Sequence, residues 1–239
     1  MRMVSGGLVA MVLGLMLGLV SCQQQETSPG ADRAQPATAG VPKEPASEGV
    51  IVAMGDSLTA GLGVPEDEAY PAQLQRVLQA EGYRFRVINA GISGETSSGA
   101  LSRTQWTLTL KPDIVILETG ANDGLRAIDP DLTRKNILAI VEQFKQRQVV
   151  VVLAGMRMVE NLGEAYTTQF AKIYPDVAAA HDLIFMPFFL DGVAGDPALN
   201  QPDGIHPTAP GYRKIVAELV PYVTAAIERV RQNHRPPPG

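Results

Sequence analysis

From residue 50 onward, short apolar runs recur along the chain, each followed by a stretch with helical spacing. The runs are Val50–Met54, Arg86–Asn89, Ile114–Glu118, Val149–Leu153 and Leu183–Met186, several of them rich in β-branched residues. Because they are largely apolar at successive positions rather than alternating, they read as strands buried on both faces, as in a parallel sheet. The stretches between them read as helices: Tyr70–Glu81, Ser98–Thr109, Asp131–Gln146, Gly163–His181 and Thr208–Arg231. In the third, Ile137, Ile140, Val141 and Phe144 are related by offsets of three and four, as one buried face requires. Strands alternating with helices imply right-handed βαβ units, and so an α/β fold: a three-layer α/β/α sandwich around a five-stranded parallel sheet. Ligands of such sheets bind beyond the carboxyl ends of the strands. The loops that begin at Gly55, Ala90, Thr119, Ala154 and Pro187 are therefore where chemistry is expected.

The sequence before residue 50 has a different character. Leu8 to Val20 is apolar apart from two glycines and follows the weakly basic start Met1-Arg2-Met3. A membrane-crossing helix takes about 20 residues, so this run fits the h-region of a secretory signal peptide instead. It ends in Leu19-Val20-Ser21-Cys22, and Cys22 is the only cysteine, which excludes an internal disulfide and any zinc cluster built from thiols. Leu-x-Ser-Cys after an h-region resembles the lipobox of bacterial lipoproteins, in which the cysteine is lipidated and becomes the mature N-terminus. The plainer alternative is an ordinary signal peptide cut nearby, with Cys22 a bystander. The resemblance implies residues 1–21 as leader and a lipid anchor at Cys22. With Gln23 rather than an aspartate following, it implies an outer-membrane position facing the periplasm.

Residues 22–49 hold four prolines and, apart from Val41, no large aliphatic or aromatic side chain, so they read as a disordered tether; residues 233–239 read as a tail. The folded domain is then 50–232. The formal charge is −5, and removal of 1–21, whose one charge is Arg2, takes it to −6. No basic stripe is present, which argues against nucleic acid as a partner.

The loops carry a set of reactive residues. The first contains Gly55-Asp56-Ser57, the second Asn89-Ala-Gly-Ile-Ser-Gly-Glu-Thr96, the third Thr119-Gly-Ala-Asn-Asp-Gly124, and Asp203-Gly-Ile-His-Pro207 leads into the last helix. A lone Gly-Asp-Ser is ordinary turn chemistry. Acyl transfer, however, needs a nucleophile, a base, a group orienting that base and donors for the oxyanion. Of three histidines, His234 lies in the tail and His181 ends a helical run, which leaves His206 as the base. Asp203, three residues earlier, is spaced to reach its Nδ1 and leave Nε2 for Ser57. Asn122 offers an uncharged donor, and the backbone N–H groups of Gly94 and Ser57 can complete an oxyanion hole. Asp56 reads as an Asx-turn residue, with Asp123 doing the same beside Asn122.

Gly55-Asp56-Ser57-Leu58 resembles the defining tetrad of the GDSL, or SGNH, hydrolases, and the remaining family blocks follow in order: Gly94, Gly120-x-Asn122-Asp123 and Asp203-x-x-His206. The likeness spans about residues 50–231 and is greatest to the bacterial periplasmic acyl-CoA thioesterase, arylesterase and lysophospholipase group, through "ISGETSSG", "NDGLR", "AYTTQFAKIYPDVA" and "PDGIHP". It implies a flavodoxin-like SGNH fold, Ser57 as nucleophile, Asp203 and His206 completing the triad, Ser57, Gly94 and Asn122 as oxyanion donors, and no cofactor. Ala121 departs from the glycine common at that position.

The expected activity is hydrolysis of small carboxylic esters or thioesters through an acyl-enzyme. An O-acetyl esterase of cell-wall or capsular sugars is the alternative, and a binding lipoprotein without turnover a third reading. Asp203 with His206 could instead cap the last helix. Asp56, Asp203 and His206 could form a two-carboxylate, one-histidine metal site, but no fourth ligand stands at a telling spacing and no metal is expected. Acyl preference is expected to be set by the loops Gly155–Gly163 and Phe188–Gln201, where Met156 and Met158 line a pocket or fill core gaps.

Overall fold

The computed structural model describes residues 47–158 and 162–234. The leader, Cys22 and nearly all of the expected tether lie outside the described residues, as do 235–239. In chain order the elements are β1 (Gly49–Gly55), α1 (Ser57–Ala60), a 3₁₀ turn (Glu66–Glu68), α2 (Tyr70–Ala80), β2 (Phe85–Gly91), α3 (Ser97–Ser102), α4 (Thr104–Thr109), β3 (Ile114–Glu118), α5 (Ala121–Leu125), α6 (Pro130–Gln146), β4 (Val150–Ala154), α7 (Glu164–His181), β5 (Ile184–Met186) and α8 (Ala209–Asn233).

The strands form one parallel sheet in the order β2-β1-β3-β4-β5. Helices α2 and α8 pack together on one face, and α3, α4, α6 and α7 associate on the other, so the expected three-layer sandwich is present. The chain runs outward from β1 to β2, then returns past β1 to β3. The carboxyl ends of β1 and β3 therefore flank the switch point where such sheets open a crevice.

The central strands β3 and β4 are wholly buried, and β1 is buried from Ile51 onward. The expectation of burial on both faces fails at β2, where Arg86 and Asn89 face solvent. That strand forms the sheet edge, where one flank has no neighbour to cover it. The one helix expected over Ser98–Thr109 is two, broken at Arg103, whose side chain turns inward (below). Ser47–Gly49, assigned above to the tether, belong to the body: Glu48 pairs with Arg84 and with Arg231 of α8, and Gly49 opens β1. At the other end α8 continues to Asn233, with His234 as its cap rather than part of a tail. Pro175 and Pro221 lie inside α7 and α8. An interior proline costs about 3 kcal/mol, which the buried stripes Phe170–Ile173–Tyr174–Val177 and Leu219–Val223–Ile227–Val230 offset.

Candidate active site

Strand β1 ends at Gly55, and Asp56 caps α1 by accepting a hydrogen bond on Oδ1 from the Leu58 N–H at 3.0 Å, which is the Asx-type turn expected of it. Ser57 is thereby the first residue of α1, nearly buried at 9% exposure. Gly61, at φ +81°, ends that single turn by donating to the Ser57 carbonyl at 3.1 Å.

His206 reaches Ser57 from 149 residues away through a short hairpin. The Gln201 N–H donates to the His206 carbonyl at 2.7 Å, Thr208 N–H donates to the Leu199 carbonyl at 2.8 Å, and Gly204 turns the tip at φ +70°. The imidazole Nε2 lies 2.9 Å from Ser57 Oγ and Nδ1 lies 2.6 Å from Asp203 Oδ2. The other Asp203 oxygen accepts from the Ile205 and His206 backbone N–H groups. These backbone donors, together with the imidazole, hold the Asp203 carboxyl down at about 2. Asp203 is thus an anion that both shapes the turn and fixes the ring, while capping of α8 falls to Thr208, whose hydroxyl accepts from the Gly211 N–H.

The hairpin is tied to the Ser57 loop by Gln201, whose amide Nε2 donates to the carbonyls of Leu62 at 2.7 Å and Pro207 at 3.0 Å. Gly63 makes room for it: a Cβ there would lie 2.1 Å from Gln201 Oε1.

The third side of the site is the pair of loops after β2 and β3. The Ile92 N–H donates to the Gly55 carbonyl at 2.9 Å, and Gly91 passes so close to α1 that a Cβ would come within 2.1 Å of Ala60 N. Gly94, at φ +79°, follows in this loop, with its carbonyl accepting from Arg126 Nη2 at 2.9 Å. Asn122 is in α5, and its amide Nδ2 donates to Asp56 Oδ2 at 3.1 Å. Asp123 is not a local turn residue as expected: wholly buried, it accepts from the N–H and hydroxyl of Ser97 and from the Thr133 hydroxyl, joining the β2 and β3 loops.

Two groups that sequence reasoning missed brace these loops. Arg103 forks onto both Glu95 oxygens at 2.6 Å and also donates to the Gly55 carbonyl at 3.2 Å. Nothing in its local sequence marks it. Glu118 is wholly buried beneath Asp56, and here a signal existed: a lone acid closing an otherwise apolar strand. Met156 belongs to the core, and Met158 packs partly buried against it, over Gly124. Among the described residues, no three acidic, histidine or cysteine side chains are grouped to hold a metal.

The rim is apolar. Of six large apolar side chains that face solvent among the described residues, four stand in these site loops: Leu62, Ile92, Leu125 and Ile205.

Residues 53–214 match the GDSL-like lipase/acylhydrolase family. The chain is 37% identical over 172 residues to an esterase, TesA, of Pseudomonas aeruginosa, covering 72% of this chain and 86% of that protein. It is 36% identical over 163 residues to thioesterase 1/protease 1/lysophospholipase L1 of Escherichia coli K12, covering 68% and 77%. Among solved structures, the psychrotrophic esterase EstA of a Pseudoalteromonas species, inhibited by monoethylphosphonate, superposes with a TM-score of 0.72 at 30% identity, over 76% of this chain and all of the other.

Proposed function

This chain belongs to the GDSL-like lipase/acylhydrolase family, and from that premise we propose that it is a serine ester hydrolase acting on carboxylic esters or thioesters, with Ser57, His206 and Asp203 as its triad. The observation that carries the reading is the relay itself, Ser57 Oγ to His206 Nε2 at 2.9 Å and Nδ1 to Asp203 at 2.6 Å. Ser57 Oγ attacks the acyl carbonyl while its proton passes to Nε2, and Asp203 stabilises the imidazolium that forms. The tetrahedral oxyanion is met by the N–H groups of Ser57 and Gly94 and by the Asn122 amide, whose plane Asp56 fixes. Collapse expels the alcohol or thiol, which takes the proton from Nε2 and leaves the acyl group on Ser57. Water then repeats the sequence, giving up a proton to His206, and releases the acid.

The apolar rim of Leu62, Ile92, Leu125 and Ile205 supports an apolar acyl or aryl group, in line with the lysophospholipase and thioesterase named for the E. coli relative. The leader and Leu19-Val20-Ser21-Cys22 support export and lipidation at Cys22, with the enzyme held at the bacterial cell envelope, on the periplasmic side of the outer membrane. Loss of membrane association in Cys22→Ala on fractionation tests the anchor.

The activity is tested by hydrolysis of p-nitrophenyl esters from acetate to palmitate by wild type and Ser57→Ala. Turnover rising toward longer chains and abolished in the variant is expected, with a fluorophosphonate labelling only the wild type. Activity confined to acetate would transfer the reading to an O-acetyl esterase. Undiminished turnover by Ser57→Ala would end it.

A further inference from the structure

The steps above use one face of Asp56 and leave a second carboxyl, directly beneath it, without a task. Strands β1 and β3 run parallel with Met54 opposite Leu117, which continues to set Glu118 beside Gly55 and Asp56. The approach is close enough that a Cβ on Gly55 would lie 2.5 Å from Glu118 Oε2. Glu118 Oε2 accepts from the Thr59 hydroxyl at 2.9 Å and from the Asp56 N–H at 3.3 Å. Glu118 Oε1 accepts nothing among the described residues. Glu118 thus lies directly under the residue whose own carboxyl turns back onto the Leu58 N–H and the Asn122 amide. Neither acid is in an ion pair with a lysine or arginine among the described residues.

Two ionised carboxylates side by side and out of water repel each other, and each also loses its hydration; such a pair keeps one proton between them. The proton's position follows from the donors. Asp56 accepts on both oxygens, from the Leu58 N–H and the Asn122 amide. Glu118 has one oxygen without any donor, which an O–H group satisfies by donating outward. We propose that Glu118 is a positioning residue: a neutral carboxylic acid beneath the nucleophile loop that donates its proton in a hydrogen bond to the Asp56 carboxylate, and so fixes the anion that orients Asn122 for the oxyanion.

The surroundings agree. The Tyr70 hydroxyl of α2 lies 3.5 Å from the Thr59 hydroxyl that serves Glu118, and burial holds the phenols of Tyr70, Tyr174 and Tyr212 well above their ordinary range. Burial, and then the charge of Asp56, push the Glu118 carboxyl well above the usual carboxylate range. No phenolate and no second anion therefore competes for the proton at neutral pH. The inference rests on the esterase reading for its consequence in turnover, but its protonation state is measurable without turnover.

The experiment compares wild type, Glu118→Gln and Glu118→Leu. In infrared spectra at neutral pH, the wild type is expected to show the carbonyl band of a protonated carboxylic acid, and Glu118→Gln to lack it. A glutamine amide reproduces the neutral acid, accepting on oxygen and donating to Asp56, so kcat is expected to stay within about threefold of wild type. Leucine removes the donor, and kcat is expected to fall by at least about tenfold with KM little changed, a share of the roughly 10²–10³ that a lost oxyanion donor costs. Superimposable infrared spectra, or a Gln variant as impaired as the Leu variant, would overturn the proposal, as would a Leu variant with wild-type kcat. If leucine prevents folding, the band and the Gln variant still decide. A wild type that carries the band but hydrolyses no ester would count against the esterase reading and leave the proton assignment standing.

Discussion

The two ends of the sheet hold similar kinds of residue and put them to different use. At the amino-terminal end lies a hollow of about 590 Å³ lined by Asp113, Lys145, Arg147, His181, Arg229 and His234, among others. Two of the three histidines are here. Its polar groups, however, are occupied with the chain's own backbone: Lys145 donates to the His181 carbonyl at 2.5 Å and Arg229 to the Asp182 carbonyl at 2.8 Å. These cations close the carboxyl end of α7, where exposed carbonyls and the helix dipole favour positive charge. At the carboxyl end of the sheet the side chains point at one another instead, Asp203 to His206 to Ser57 and Asn122 to Asp56. The hollow's size therefore does not identify the site. What does is a set of side chains whose hydrogen bonds run between loops rather than back into one helix.

The contrast can be broken or sharpened by mutation, beginning where the effect is largest. Asp203→Asn keeps the shape of the turn but removes the charge that holds the imidazole. It is expected to lower kcat by about 10⁴-fold in ester hydrolysis, as loss of a triad carboxylate does. Because the Asp203 carboxyl is held down at about 2, it stays ionised as pH falls to roughly 3, and its folded-state contribution is lost only as pH falls through that value. Asp203 therefore adds no titration to the acid limb of kcat/KM above pH ~3; an acid titration in that range that Asp203→Asn removes would contradict this.

Asn122→Ala removes the amide proposed as an oxyanion donor, and kcat is expected to drop by about 10²–10³ with KM nearly constant. A change confined to KM would show that the amide binds substrate rather than the transition state.

Glu118→Gln affects stability rather than rate. A carboxyl whose folded value is raised stabilises fully below its unfolded value, near 4.5, and that contribution is lost as pH rises through the folded one. Thermal unfolding should therefore show the Gln variant gaining on wild type as pH rises from acid to alkaline; parallel curves would count against a buried proton.

The smallest effect belongs to the opposite pole. Arg229→Ala is expected to lower stability by about 0.5–1 kcal/mol, the worth of a cation at a helix end, and to leave kcat/KM unchanged. A tenfold loss of kcat/KM would mean that the two ends of the sheet are coupled after all.

Much of this protein was legible in its sequence because the relevant signals are local. Five apolar runs set the strands, with bounds close to those observed, and the loops after them carried Ser57, Gly94 and Asn122, with the Asp203–His206 pair before α8. The motif order supplied the roles, since each block is a few residues long and carries its own turn chemistry. What was missed is non-local. Arg103 interrupts a helix that its neighbours' spacing would continue, because its guanidinium reaches the Gly55 carbonyl and Glu95. Asp123 serves Ser97 and Thr133 rather than its own turn. Strand β2 is apolar enough to read as central, and only the order of strands makes it an edge.

The sequence by itself therefore determined the strands, the helices and the residues able to do acyl chemistry, because periodicity and turn preference act over a few residues. The tertiary structure alone decided that Gln201 ties the loops of Ser57 and His206 and that Glu118 lies under Asp56. Those contacts depend on strand register and on which loops the sheet brings to one edge, and register is fixed only when the whole core is packed.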